Sequence, residues 1–258
     1  MPWNIRTRFD CYIEPWEPLW YALWALYMSA RSVISEGRYL TLLSPQKLKD
    51  TEFYLWFKEL NDSFINFERT QTAVPKLVAQ SSGVVLELGP GAGNQLSQYN
   101  KDKVTRIIGV EPNPHFAPDI EQQIHKQGLE NIYELVIASA EDSKALERHG
   151  IVTESLDTVL SIQVLCSVSD PESLVKELYR LLKPGGKFIF WEHHRNSDRL
   201  SSIVQQTNWG CNMNRDIKGI IAAAGEWENG DSIEGDELPQ SLLPRAWGEL
   251  VKVRNVGA

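Results

Sequence analysis

The chain has 258 residues, and its 34 acidic and 26 basic side chains give a formal net charge of −8. This length favours one α/β domain with added segments, or at most two small domains, and a 42% hydrophobic content excludes a disordered chain. The acidic balance argues against nucleic-acid binding that depends on phosphate attraction. The three cysteines are far apart, with neither zinc spacing nor a disulfide framework, so we expect a reduced intracellular compartment and no metal site.

Residues 1–80 form an aromatic, helix-like region without strand alternation, and we predict a helical N-terminal extension that acts as a lid or cap. Its most apolar run, residues 19–30, is shorter than the ~20 residues that span a bilayer. One interpretation is an aromatic helix packed on the domain. The other is an anchor at a membrane interface, where Trp and Tyr are favoured. The first ten residues lack the apolar core of a secretory signal.

From residue 81 to 258 we predict a second unit, in which short β-branched runs alternate with helix-like stretches. The predicted strands are residues 84–88, 106–111, 133–138, 156–162 and 187–191, with a last β-like stretch at 246–253. Helices are predicted after the first strand, up to Gly128 after the second, at 171–182 with Asp170 as N-cap, and near 214–224 with Asn214 as N-cap. This alternation predicts a doubly wound α/β fold with a parallel sheet.

A glycine-rich loop, residues 87–94 (ELGPGAGN), directly follows the first predicted strand. Its glycines let backbone N–H groups approach a ligand. A dinucleotide fold usually has G-x-G-x-x-G, whereas the sixth position here is Asn94. Glu87 lies two residues before the first glycine, where a carboxylate would repel a pyrophosphate and accept hydrogen bonds from an ammonium group. The methionine part of S-adenosylmethionine carries such a group.

Two further acidic signals follow the next two strands. Glu111 ends the second strand, 24 residues after Glu87, where a carboxylate can accept both ribose hydroxyls of an adenosine. Residues 139–142 (SAED) follow the third strand. Because ligands collect at the carboxyl ends of parallel strands, this segment is a candidate for the adenine edge, although the same letters also favour a helix start.

The order ELGPGAGN, GVEPNP, ASAED, LDTVLSIQVLCSV and LLKPGGKFIFWEH resembles the class I S-adenosylmethionine-dependent methyltransferases over residues 83–195. The resemblance implies a Rossmann-like class I methyltransferase sheet and S-adenosyl-L-methionine as cofactor. It implies a cofactor-binding set of Glu87, Gly89, Gly91, Gly93, Asn94, Glu111, Pro112, Asn113, Ser139, Ala140, Glu141, Ser161 and Ile162.

Residues 83–224 are more specifically similar to small methyltransferase-like proteins of animal endoplasmic reticulum and lipid droplets, which methylate alkyl thiols and carry a hydrophobic N-terminal anchor. The likeness lies in PNP-F, QVLCSV, PGG-F-F-EH and GCN. This chain departs from them in Pro90-Gly91-Ala92, where that family tends to have Cys-Gly-Thr, and in an N-terminal region broken by Pro15, Pro18 and Arg31. Quinone C-methyltransferases share the LKPGG turn but lack the LCSV and EH pieces as they stand here.

The catalytic candidates are His193, His194 and Gln163. The resemblance places the methyl group and the acceptor where the fourth strand ends, and Gln163 is the polar residue there. His193 is the candidate base, with His194 as its substitute, because a hydroxyl acceptor needs a positioned base. A thiol ionises more easily and needs less help. Cys166 is expected to be buried as a small apolar residue, and Cys211 to line a pocket.

We therefore expect an S-adenosylmethionine-dependent methyltransferase of secondary metabolism that acts on a small, hydrophobic acceptor, with S- or O-methylation favoured. One alternative is a methyltransferase-fold enzyme that performs cyclisation, elimination, or N- or C-methylation. Another is a non-catalytic lipid-surface protein. We expect no nucleic-acid partner and a cytoplasmic protein able to associate with an intracellular membrane surface through residues 16–30.

Overall fold

The computed structural model describes residues 16–35, 37, 44–195, 211–236 and 243–254. Its N-terminal part is helical, as predicted, and consists of α1 (Trp16–Ser35), α2 (Pro45–Gln71) and α3 (Val74–Val78). Helix α1 packs against α2. None of the helices within these ranges combines the length and the apolar character that a membrane span requires.

The rest of the chain alternates between strands and helices. In order these are β1 (Gly83–Leu88), β2 (Val104–Glu111), α4 (Ala117–Gln127), β3 (Tyr133–Ile137), α5 (Ser143–Arg148), β4 (Leu156–Ile162), α6 (Pro171–Leu181), β5 (Leu182–His193), α7 (Ile217–Ala222), β6 (Glu234–Gly235) and β7 (Arg245–Val251). The seven-stranded sheet has the order β3-β2-β1-β4-β5-β7-β6. Strands β1 to β5 are parallel, and β7 runs antiparallel to both of its neighbours. The doubly wound α/β prediction is confirmed.

Both faces of the sheet are covered, which explains the continuous apolar runs of its central strands. In β1, Leu86 and Leu88 pack in one core with helices α6 and α7. Val85 packs in the other core, with α3, α4 and the aromatic side chains of α2. We call this second side the α2 face. The functional side chains described below lie where the parallel strands end.

The helix predicted directly after the glycine loop is absent. The connection from β1 to β2 contains only one 3-10 turn, Leu96–Gln98. Residues 89–103 must form the loop and also return to the start of β2, which leaves no length for a regular helix. Asn100 favours a turn instead, since its side chain accepts a hydrogen bond from the N–H of Asp102. No helix macrodipole is therefore available beside this loop.

Two other boundaries differ from the prediction. Strand β5 starts at Leu182 rather than at residue 187, because a register shift against β4 and the left-handed Gly185 (φ 78°) take the KPGG turn into the strand. The N-cap of α7 is Asp216, not Asn214, and its carboxylate accepts from the N–H of Gly219 at 3.2 Å. The predicted N-cap of α6 is confirmed, since Asp170 accepts from the N–H of Ser173.

Several large side chains in the apolar run of α1 are exposed. Trp20 is 71% exposed and Tyr27 is 61% exposed, and Leu23 and Trp24 are exposed as well. The helix expected to pack on the domain does lie against α2, but these four side chains take no part in that packing. Helix α1 rests on α2, and Val33 near its end is buried.

Candidate functional site

The glycine loop adopts a left-handed backbone conformation that residues other than glycine rarely adopt. Gly89, Gly91 and Gly93 have φ values of 52°, 55° and 77°. The N–H of Gly89 donates to the Val110 carbonyl at 2.9 Å, which joins the loop to the end of β2. A Cβ on Gly91 would meet the ring of Phe57 at an ordinary contact distance of 3.5 Å. The space above the loop is thus bounded by an aromatic ring of α2.

Glu111, at the end of β2, binds the same loop through its side chain. Its buried carboxylate accepts from the N–H of Gly91 at 3.1 Å and from the N–H of Asn113 at 2.8 Å. Burial raises the pKa of Glu111 to about 7, against the lowering effect of these two N–H donors. Each carboxylate oxygen accepts one of these N–H groups, which leaves acceptor capacity for hydroxyl donors. The predicted proximity of the glycine loop and this carboxylate is what the structure shows.

Glu87 is also buried, but it already has a protein partner. The hydroxyl of Tyr133 on β3 donates to Glu87 Oε2 at 2.8 Å, and the Tyr99 hydroxyl lies beside it. Burial raises the pKa of Glu87 to about 7. Gly109 of β2 lies between the two residues, and a Cβ there would overlap the Tyr133 hydroxyl. Tyr133 was missed in the sequence, although a glycine inside the β-branched run of β2 is a sign of such a close approach.

Helix α2 covers the loop through polar contacts as well. The Asn94 amide donates to Asn61 Oδ1 at 2.8 Å, and the Gln95 amide donates to Glu68 Oε2 at 3.0 Å. Asn113 donates from its amide to the Asp50 carbonyl at 2.8 Å, close to the start of the same helix. The structure therefore brings residues 50–68 onto the loop. The side chains of Asn94 and Asn113 hold this helix, while Pro112 is exposed.

The segment after β3 is occupied by structural contacts. The carboxylate of Glu141 accepts from the Ser169 hydroxyl at 2.5 Å and from the N–H of Asp170 at 3.0 Å, which fastens the loop before α6. The Ser139 hydroxyl accepts from the N–H of Glu141 at 3.2 Å, and Ala140 is buried. The Glu141 side chain thus serves the fold here.

Gln163, directly after β4, has a left-handed backbone with φ 58°, which is rare for a residue with a side chain. Its N–H donates to the Trp191 carbonyl at 2.9 Å, and its Nε2 lies 3.0 Å from His193 Nε2. His193 Nδ1 is shielded from solvent and has no hydrogen-bond partner among the described residues. Burial and the nearby Arg245 lower the pKa of His193 to about 3. Two of the catalytic candidates are therefore brought together, with the imidazole neutral.

His194 does not join this pair. Successive side chains of a strand point to opposite faces, and His194 Nδ1 lies 4.0 Å from Asp216 Oδ1, next to the start of α7. The pKa of His194 is lowered, chiefly by burial. The position of His194 therefore does not support its role as an alternative base in place of His193.

Glu192 organises the segment that follows β4. Its buried carboxylate accepts from the Ser161 hydroxyl at 2.7 Å and from the N–H groups of Val164 and Leu165 at 2.9 and 3.1 Å. Burial raises the pKa of Glu192 to about 7. The Ser161 hydroxyl is therefore already hydrogen-bonded to Glu192. Ile162 is half-buried in the core of the α2 face. Glu192 thus binds the Ser161 side chain before Gln163 and the backbone after it.

Cys166 and Cys211 lie behind this segment. Cys166 is buried, as predicted, and the Ser167 hydroxyl is 3.6 Å from its sulfur and 3.4 Å from that of Cys211. The N–H of Asn212 donates to the Cys166 carbonyl at 2.7 Å. Hydrogen bonds, first from Cys166 and then from Ser167, lower the pKa of the Cys211 thiol.

Parts of the chain are similar to known proteins. Residues 86–190 match the model of a family described as a methyltransferase domain. Over these residues the chain is similar to a methyltransferase domain. Human thiol S-methyltransferase TMT1B is 33% identical over 115 residues, which are 45% of this chain and 44% of that protein. The mitochondrial methyltransferase OMS1 of Saccharomyces cerevisiae is 24% identical over 195 residues, 66% of this chain and 41% of that protein.

The chain thus spans only about half the length of the curated relatives that it matches. Among solved structures, an O-methyltransferase family protein from Burkholderia thailandensis has a TM-score of 0.57 at 15% identity, over 91% of this chain and 72% of that one. The [4+2]-cyclase SpnF has a TM-score of 0.53 at 16% identity, over 75% and 81%. These likenesses concern the fold.

The similarity to methyltransferases implies S-adenosylmethionine as the methyl donor, and the residues present fit it. The loop offers backbone without side chains at Gly89, Gly91 and Gly93, and Glu111 offers a carboxylate with acceptor capacity left. Glu111 and the glycine loop are the groups that would hold it. When bound, the cofactor supplies a methyl group on a positively charged sulfur that is already a leaving group.

Proposed function

We propose that this chain transfers a methyl group from S-adenosylmethionine to a small, hydrophobic acceptor, with sulfur or oxygen as the favoured nucleophile. The observation that carries the proposal is the Glu111 carboxylate, which binds the N–H of Gly91 at the carboxyl edge of the sheet, under α2. This places a hydroxyl-accepting group beside a loop that a ligand can approach. The similarity to TMT1B supports sulfur as one acceptor atom.

A hydrophobic acceptor is supported by the rings on the α2 face. Three rings of α2 contribute: the ring centroids of Phe57 and Phe64 are 5.5 Å apart, and that of Phe67 lies 6.4 Å from that of Trp191 of β5. Ligand pockets are usually lined by such side chains, with few polar groups that orient the ligand. The Gln163–His193 pair is the polar group next to Trp191 that we propose for this role. Alignment of the acceptor with the methyl group can supply much of the rate.

The test is release of S-adenosylhomocysteine from S-adenosylmethionine with a panel of alkyl thiols, phenols, carboxylic acids and amines. We expect release with thiols or with hydroxyl compounds. Glu111→Gln keeps the shape of the side chain and removes its charge, and should weaken cofactor binding by about 1–3 kcal/mol in calorimetry. Glu130→Gln, on an exposed carboxylate after α4, is the matched control and should change nothing. Cofactor binding with no release for any acceptor would contradict methyl transfer to this panel.

The panel also separates methyl transfer from the alternative chemistry of this fold. SpnF shows by its name that a related fold belongs to a cyclase. A cyclisation or elimination would consume its substrate without releasing S-adenosylhomocysteine. Conversion without release would therefore replace our proposal by that alternative.

We further propose that the protein is cytoplasmic, has no nucleic-acid partner and binds an intracellular membrane surface through residues 16–30. The exposed Trp20, Leu23, Trp24 and Tyr27 support this, because aromatic side chains favour the membrane interface. Flotation with phospholipid vesicles should recover the protein in the lipid fraction. Trp20→Ser with Tyr27→Ser should reduce recovery, whereas the exposed Ile137→Ser of β3 should not. Equal recovery of all three proteins would contradict the role of α1.

A further inference from the structure

The guanidinium of Arg245 lies beside the proposed acceptor site. Arg245 starts β7 and is directly opposite His193 of β5 in the antiparallel register. Its Cζ lies 5.2 Å from the ring centre of Phe67 and 5.0 Å from that of Trp191. His193 in turn contacts Gln163. A line of contacts therefore runs from the end of β4, across β5, to a positive charge held between two aromatic rings.

We propose that Arg245 is a specificity-determining residue, which makes this site select acceptors that react as anions. This inference rests on the proposed function. A positive charge within a few ångströms stabilises the ionised form of an acid and can lower its pKa by about 1–3 units. A guanidinium has five N–H donors, so it can hold protein partners and an acceptor anion together. An amine gains nothing from this charge, because its protonated form is repelled.

The other charged groups around Arg245 are compatible with this role. Directly after β6, the carboxylate of Asp236 accepts the backbone N–H of Arg245 at 2.8 Å. The carboxylate of Glu234 is bound by the indole N–H of Trp247 at 3.2 Å. Across β5, the facing group is His193, and α2 contributes the ring of Phe67. Arg245 and His193 therefore meet on the α2 face.

The same charge opposes a role of His193 as general base. Burial first, and Arg245 second, lower the pKa of this imidazole to about 3, so it holds a proton poorly at neutral pH. An acceptor that enters as an anion needs no such base. Its proton has already gone to water, and the new bond from the acceptor atom to the methyl carbon forms as the bond from that carbon to the sulfonium sulfur breaks. The products are the methylated acceptor and S-adenosylhomocysteine, and charge is balanced.

The experiment compares the pH dependence of kcat/KM for an alkyl thiol in the wild type, Arg245→Gln, Arg245→Lys and His193→Gln. Arg245→Gln should move the midpoint up by at least about one pH unit and lower kcat/KM below that midpoint by about tenfold. Arg245→Lys keeps the charge and should restore part of the shift. His193→Gln should leave the midpoint in place. A purely structural role of Arg245 would not move a midpoint.

A second readout needs no turnover. Binding of an aromatic thiol, followed by tryptophan fluorescence, should strengthen in the wild type as the thiol ionises, and should lose this dependence in Arg245→Gln. An unchanged midpoint and unchanged binding in Arg245→Gln would overturn the inference while leaving methyl transfer intact. Abolished activity in His193→Gln together with raised activity in Arg245→Gln would show that His193 is the base, and would overturn it as well. A wild type that methylates no acceptor would remove both the proposed function and this inference.

Discussion

Gly91→Ala tests two properties of the glycine loop separately: the free energy of unfolding, which depends on its backbone conformation, and the affinity for the cofactor. Gly91 has a left-handed φ of 55°, and an added Cβ would contact Phe57 at 3.5 Å, which is an ordinary distance. The expected destabilisation is therefore that of the backbone, about 1–2 kcal/mol. For a domain of this size the melting temperature should fall by about 2–8 °C.

Gly128→Ala is the matched control. Gly128 ends α4 with a φ of 61°, and an added Cβ would lie 3.7 Å from the Lys101 side-chain nitrogen. Its backbone cost is thus similar, but it lies away from the loop. Only the Cβ at Gly91 enters the space between the loop and α2. Gly91→Ala alone should weaken cofactor binding, by at least about tenfold, or about 1.4 kcal/mol.

Urea unfolding followed by fluorescence gives the stability, and calorimetry gives the affinity for S-adenosylmethionine. We expect the two variants to lose the same free energy of unfolding. Only Gly91→Ala should lose affinity for S-adenosylmethionine. Unchanged affinity in Gly91→Ala, or the same affinity loss in both variants, would refute the assignment of the loop. Full stability in both variants would refute the argument from backbone strain.

Three further predictions concern contacts around the site. In a double-mutant cycle with Asn61→Ala and Asn94→Ala, urea unfolding should give a coupling energy of about 1 kcal/mol, because one hydrogen bond joins these amides, and strict additivity would contradict it. The pKa of Glu192 is raised by burial to about 7, so the folded state binds its proton more tightly, and the free energy of unfolding should fall as pH rises from about 4.5 to about 7. Glu192→Gln should remove this part of the fall, at most about 3 kcal/mol, and an identical pH dependence in the variant would be the contrary result. The pKa of the Cys211 thiol is lowered by the hydrogen bond from Cys166, so alkylation of Cys211 should persist to lower pH than that of a cysteine peptide, and Cys166→Ala should move its midpoint upward.

The sequence predicted the parts of this domain that depend on local pattern. The runs of β1 and β4 are apolar over their whole length because both faces of the sheet are covered, so both strands were located within a residue of their observed ends. The N-cap of α6 was identified because Asp170 precedes a proline at the first helical position. The glycine loop and Glu111 were paired because parallel strands place their carboxyl ends at the same edge.

Tertiary structure decided what these local patterns left open. The absence of a helix after the loop depends on the distance that residues 89–103 must cover to reach the start of β2. The sequence after Asn94 does not show this distance. The partner of Glu87 depends on the register of β1, β2 and β3, which brings Tyr133 across Gly109. The neutral state of His193 depends first on burial and then on Arg245, 52 residues away in sequence and adjacent only because β7 pairs with β5. Sequence by itself determined the class of the fold and the position of the glycine loop, since both follow from residue type and spacing. The environment of each ionisable group required the folded chain, because burial and long-range pairing set its charge.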